Sequence, residues 1–214
     1  MKVKTHFVGI TGACAALTAA LALPASAADT GLYFNADAGA NWAQDDEINA
    51  GGASADLTTD IGFRFSAGVG YNLNKNWGVE FDTGWVWNSI DKIKDSGGST
   101  SFDDSSFSHL PFMVNVIYRY QIGAKYETYV GAGAGGTYSV LDIDEPGISD
   151  DDGDVVFAWQ AVAGVRYNIS ETMSVGVGYK YLGTTEGEYS IGGGDVSIES
   201  VHNHSFGAVF NWKF

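Results

Sequence analysis

Cysteine is the first scarcity in this 214-residue chain. The single one, Cys14, sits near the start, so beyond it disulfides and thiol chemistry are excluded. The Ile10-Thr11-Gly12-Ala13 stretch before it fits a lipidation signal poorly. Basic residues are also few, at eleven against twenty-six acidic ones. That balance excludes nucleic acid as a partner, because phosphate recognition needs basic patches. Nor does the chain after Ala28 contain eighteen consecutive apolar residues, which excludes a transmembrane helix.

What is present starts at the N-terminus. Lys2 and Lys4 precede an apolar run from Phe7 to Leu23, then Pro24 and the small residues Ala25-Ser26-Ala27. This order reads as a secretory signal peptide over 1–27, leaving 28–214 as one exported domain. Aromatic residues make up 14% of the chain and glycine is abundant. An exported, aromatic, glycine-rich chain with no apolar helix points to a membrane barrel.

Period-two alternation supports this. In 61–73 one face carries Ile61, Phe63, Phe65, Ala67, Val69, Tyr71 and Leu73, and the other Gly62, Arg64, Ser66, Gly68, Gly70 and Asn72. Successive strand residues point to opposite faces, so this pattern is a strand with one apolar side. Eight such segments are expected, at 31–42, 61–73, 77–88, 109–121, 126–140, 156–168, 172–183 and 203–214. Brief connectors (74–76, 122–125, 169–171) alternate with long ones (43–60, 89–108, 141–155, 183–202). The implied fold class is all-β, an eight-stranded antiparallel up-and-down transmembrane β-barrel with short periplasmic turns and long outer loops. A soluble β-sandwich also alternates, but Trp77, Trp87, Tyr118, Tyr120, Tyr179 and Tyr181 crowd the apolar face as interfacial girdles would.

The opposite face then meets the lumen, where eight strands leave room for side chains and little else. Its charges are Asp37, Arg64, Glu80, Asp82, Arg119, Glu127, Arg166 and Lys180. Buried charges need partners, so an ion-pair network is expected to plug the lumen. Strand direction puts Glu80, Arg119, Glu127 and Arg166 together near the periplasmic end, as one cluster. Asp37, Arg64, Asp82 and Lys180 should lie further up.

The four long segments hold twenty acidic residues, opposed by Lys92 and Lys94 alone. They read as solvated, self-repelling loops, with Ser96–Ser101 flexible. Asp150, Asp151, Asp152 and Asp154 form the one weak candidate for divalent cations, without the spacing of a Ca²⁺-binding loop. No cofactor and no catalytic set is expected. His109, His202, His204 and Ser205 lie near outer strand ends, but register turns His204 outward and Ser205 inward, away from a base–nucleophile pair.

The closing strand, His204 to Phe214, has Phe206, Phe210, Trp212 and Phe214 in alternation. It resembles the C-terminal signature read by the outer-membrane barrel assembly machinery. Tyr129-Val130-Gly131-Ala132-Gly133-Ala134-Gly135-Gly136, Ala163-Gly164-Val165-Arg166-Tyr167 and Gly176-Val177-Gly178-Tyr179-Lys180-Tyr181 are similar to later strands of the OmpA-like and opacity-protein barrel family. The resemblance covers the whole of 28–214. It implies a location in the Gram-negative outer membrane, with lipid and lipopolysaccharide around the belt. It also implies a structural or adhesive role, with a host or extracellular ligand at the loops. A narrow, OmpW-like channel is the alternative and a lipid-modifying enzyme the third reading. No peptidoglycan-binding domain follows Phe214, so wall anchoring is not expected.

Overall fold

The computed structural model of the chain describes residues 30–44, 46–50, 53–95, 98–101, 105–145, 148–191 and 194–214. The expected signal peptide, 1–27, lies outside them. Thirteen strands make up the described fold: β1 (Gly31–Ala43), β2 (Asp46–Ala50), β3 (Ala53–Thr59), β4 (Gly62–Asn72), β5 (Trp77–Asp95), β6 (Gly98–Ser101), β7 (Ser106–Ile122), β8 (Tyr126–Glu145), β9 (Ile148–Asn168), β10 (Met173–Thr184), β11 (Gly187–Ile191), β12 (Gly194–Ile198) and β13 (His202–Lys213).

Eight of them close a barrel in the order β1-β4-β5-β7-β8-β9-β10-β13 and back to β1, every pair antiparallel. Asp37, for example, stands opposite Ser66 on one side and Val209 on the other. Closure leaves the eight strands with no open sheet edge, which a hydrocarbon surrounding requires. The alternation places Phe63, Phe65, Val69, Phe81, Val114, Val130, Val165 and Val177 outside and exposed. The inner face carries the polar set.

The brief connectors are tight turns. Asn74 Oδ1 accepts hydrogen bonds from the Asn76 and Trp77 amides, each at 2.9 Å. Ser170 Oγ does the same for Thr172 (3.3 Å) and Met173 (3.0 Å). Gly123 turns the third connector with φ +66°, the left-handed region that glycine enters without a steric cost. This short-turn end faces the periplasm in barrels of this architecture.

The other end departs from the loop expectation. β5, β8 and β9 run past the expected strand limits, and β2, β3, β6, β11 and β12 occupy segments read as loops. Together they make a second storey with the order β11-β12-β2-β3-β5, and β6 pairing β5 over Lys92–Asp95. Even Gly98–Ser101, read as flexible, is a strand. The physical reason lies beneath it. Ile90, Phe107, Leu141, Tyr189, Ile198 and Val201 form a buried apolar cluster over the barrel mouth, so these segments carry a core of their own.

Candidate functional site

Glycine makes room for the lumen's contents. Gly70 lies against the Tyr33 ring, and Gly164 and Gly178 against Tyr129; a Cβ at any of them would strike the aromatic side chain. Long side chains from facing strands can therefore cross an interior only eight strands wide.

Asp37, Arg64, Asp82 and Lys180 meet in mid-barrel. Lys180 Nζ reaches Asp37 Oδ2 at 2.6 Å, Asp82 Oδ2 at 2.8 Å and Ser66 Oγ at 2.7 Å, which uses all three ammonium protons. Ser66 Oγ donates in turn to Asp37 Oδ2 (2.6 Å). Arg64 stands further off, 4.0 Å from Asp37 and 3.8 Å from Asp82, and Nη2 donates to Gln160 Oε1 at 3.3 Å. Gln160 Nε2 completes the layer, donating to Asp82 (3.2 Å) and Asn115 (2.7 Å). Two positive and two negative charges cancel here. A cavity of about 10 Å³ beside the cluster has the size of one water.

The lower four behave differently. Glu127 and Arg166 stand directly opposite each other and pair at 3.3 Å. Gln121 (2.7 Å) and Lys213 (3.5 Å) also reach Glu127. Arg166 donates to Asn35 (3.0 Å) and lies over the Tyr129 ring, 4.0 Å from its centroid. The expected single cluster does not form, because Glu80 and Arg119 do not pair. Register is the reason: Glu80 stands opposite Asn115, whereas the Arg119 amide bonds the Asn76 carbonyl, nearer the turn. Arg119 instead donates Nη1 to Asn72 (2.7 Å) and lies over Tyr33 at 4.5 Å. Among the described residues no carboxylate comes within 4.0 Å of it.

Above the central quartet the lumen turns apolar, with Val86, Met113, Ala158 and Leu182 all buried. Next comes an amide layer. Asn41 donates to Asn88 (2.5 Å) and Asn203 (2.9 Å), and Ser205 donates to Asn41 (2.7 Å). The buried His109 bonds Ser139 through Nδ1 at 2.8 Å. This base–hydroxyl contact was missed in the sequence, and among the described residues no carboxylate orients the ring.

Asp152 and Asp154 serve the second storey. Their side chains accept the Ser190 amide (2.7 Å) and the Glu188 amide (3.2 Å), bonding the edge of β11 to β9 where no backbone ladder runs. Asp151 points out to solvent, and the Asp150 side chain lies outside the described residues. Among the described residues no three metal-ligating side chains cluster.

On the outer surface Trp77 and Tyr118 pack edge to face at 4.9 Å near the short turns, with Tyr120 exposed beside them. Trp87 packs on Phe63 towards the outer end. Tyr181 bonds His202 (2.6 Å) at that level. Tyr179 is a mid-strand residue and reaches up only through its hydroxyl, 2.7 Å from His204 Nδ1. His204 faces outward and Ser205 inward, so they share no reaction centre. Phe206, Trp212 and Phe214 are exposed along β13, with Phe210 half-buried.

Residues 13–214 match the family described as outer membrane protein beta-barrel domain. No curated protein matches the chain significantly. Among solved structures, OprG from Pseudomonas aeruginosa is similar with a TM-score of 0.60 and 17% identity, over 87% of this chain and 97% of that one. Neisserial surface protein A gives 0.55 and 17%, over 86% and 97%. AlkL, an outer membrane protein solved in lipid bilayers, gives 0.54 and 20%, over 90% and 95%.

Proposed function

The chain belongs to the outer membrane protein β-barrel family, and on that premise we propose a structural, non-conducting barrel that holds an acidic storey outside the cell as a contact surface. Its place is the outer membrane of a Gram-negative envelope. The observation that carries the proposal is the closure of the lumen. The Lys180–Asp37–Asp82–Arg64 layer fills it in mid-barrel, and the Ile90–Phe107–Leu141–Tyr189 cluster caps its outer mouth. A solute would have to break a charge network and then an apolar core.

The ligand face on this reading is the second storey, which is ordered by its own core and carries most of the acidic residues. A stiff sheet presents a surface at a lower ordering cost than a free loop does. Lipopolysaccharide fits around the outer aromatic belt, and the exposed Phe206–Trp212–Phe214 row fits recognition by the assembly machinery. No reaction enters this reading, since the described histidines bond tyrosines, Gln44 or a sealed serine.

The test is planar-bilayer conductance of the refolded barrel, wild type beside the double variant Asp82→Ala/Lys180→Ala. A silent wild type with openings in the variant is expected. Steady conductance in the wild type would overturn the plug and favour a narrow channel.

A further inference from the structure

The short-turn end contains a feature that the plug does not use. A vestibule of about 410 Å³ opens there, within the range of small-molecule sites. Its charged lining is Lys75, Arg119, Lys213, Glu127 and Glu171. Glu127 is already engaged by Arg166, Lys213 and Gln121. Glu171 is exposed on the rim. Arg119 is the reverse case: it is only 3% exposed, and its Nε and Nη2 have no hydrogen-bond partner. Buried guanidinium N–H groups left without an acceptor are costly, and an incoming anion would relieve that cost.

We propose that this vestibule binds a small oxyanion, a phosphate or carboxylate group presented from the periplasm, with Arg119 as its floor and Lys75 and Lys213 at its rim. The planar guanidinium fork suits a two-oxygen acceptor. Asn72 fixes the fork through Nη1, and the Tyr33 ring supports its face. The site stands out in a chain whose formal net charge is −15. It is separate from the outer surface, so its test is independent of the plug.

The experiment titrates inorganic phosphate, and acetate in parallel, into the refolded barrel in uncharged maltoside micelles at constant ionic strength. Backbone-amide NMR is the readout. Saturable shifts are expected around residues 72–76 and 119–122. Arg119→Gln should weaken phosphate binding roughly tenfold or more, as loss of a charged hydrogen-bonding partner does. Lys75→Gln, on an exposed turn, should weaken it by a smaller factor, and it carries the test if the Arg119 variant does not refold. Lys125→Gln, exposed at the same end but outside the lining, should change nothing. Shifts absent from the wild type, or weakened equally by Lys125→Gln, would overturn the pocket. Repeating the titration in phosphatidylcholine bilayers with and without phosphatidylglycerol separates the sources. A lower affinity for free phosphate when the anionic lipid is present assigns the site to a headgroup, and an unchanged affinity assigns it to a soluble anion.

Discussion

Two groups of four lumenal charges share one barrel and are treated differently. In mid-barrel, Asp37, Arg64, Asp82 and Lys180 balance in sign, and every ammonium proton of Lys180 has an acceptor. Near the short turns only Glu127 and Arg166 pair, while Glu80 and Arg119 stand apart. The difference teaches that sign balance in a lumen is not enough. A pair forms where register or a reach across the barrel puts the groups within about 4 Å, and elsewhere the charge is left to aromatic faces and amides.

The largest expected effect tests the balanced group. Lys180→Met removes the bridge between two carboxylates and leaves them facing a more distant Arg64. Urea unfolding of the refolded barrel, followed by tryptophan fluorescence, should show a loss of about 3–5 kcal/mol. A loss below about 1 kcal/mol would mean that Arg64 alone balances the layer.

The lower group should split under the same assay. Arg166→Ala should cost about 2–3 kcal/mol, because Glu127 keeps Lys213 and Gln121 but Tyr129 and Asn35 lose their cation. Arg119→Gln should cost at most about 1 kcal/mol, since it gives up one amide contact and a ring face but no ion pair. Equal losses would erase the distinction between the two arginines.

The smallest effect lies outside both groups, in the cap. Burial pushes the Tyr189 hydroxyl up from its ordinary value. A group whose folded pKa is raised supports the fold below its unfolded value and loses that support as pH climbs above it. The β11 and β12 strands should therefore loosen above roughly pH 10, seen as a fall in amide protection, after correction for base-catalysed intrinsic exchange, at 187–191 and 194–198. Tyr189→Phe should remove this dependence. A pH response that persists in Tyr189→Phe would point to another group.

Much of this was legible in the chain, and the reasons differ by level. Phe63, Phe65 and Val69 against Arg64, Ser66 and Gly70 declare a strand and its two faces, because the side-chain period is two whatever the neighbours are. The Glu127–Arg166 pair follows from strand direction and inward parity, which put both charges at the short-turn ends of adjacent strands. The outer storey was not legible. Its acidic stretches look like solvated loops, and only the contact of Ile90, Phe107 and Leu141 with Tyr189, Ile198 and Val201 shows that they share a core. Gln160, Asn115 and Ser66 carried one usable signal, their inward parity, but nothing in the sequence says which charges they serve.

By itself the sequence determined the alternation, the eight barrel strands, the short-turn end and which residues face lipid, since each depends on neighbours one or two positions away. Tertiary structure alone decided that Lys180 reaches Asp82 from across the lumen, that Arg119 misses Glu80, and that Asp152 and Asp154 hold an edge strand. Those outcomes depend on how the sheet closes and how neighbouring strands are staggered. A stagger of a few residues moves a side chain by more than the reach of an ion pair.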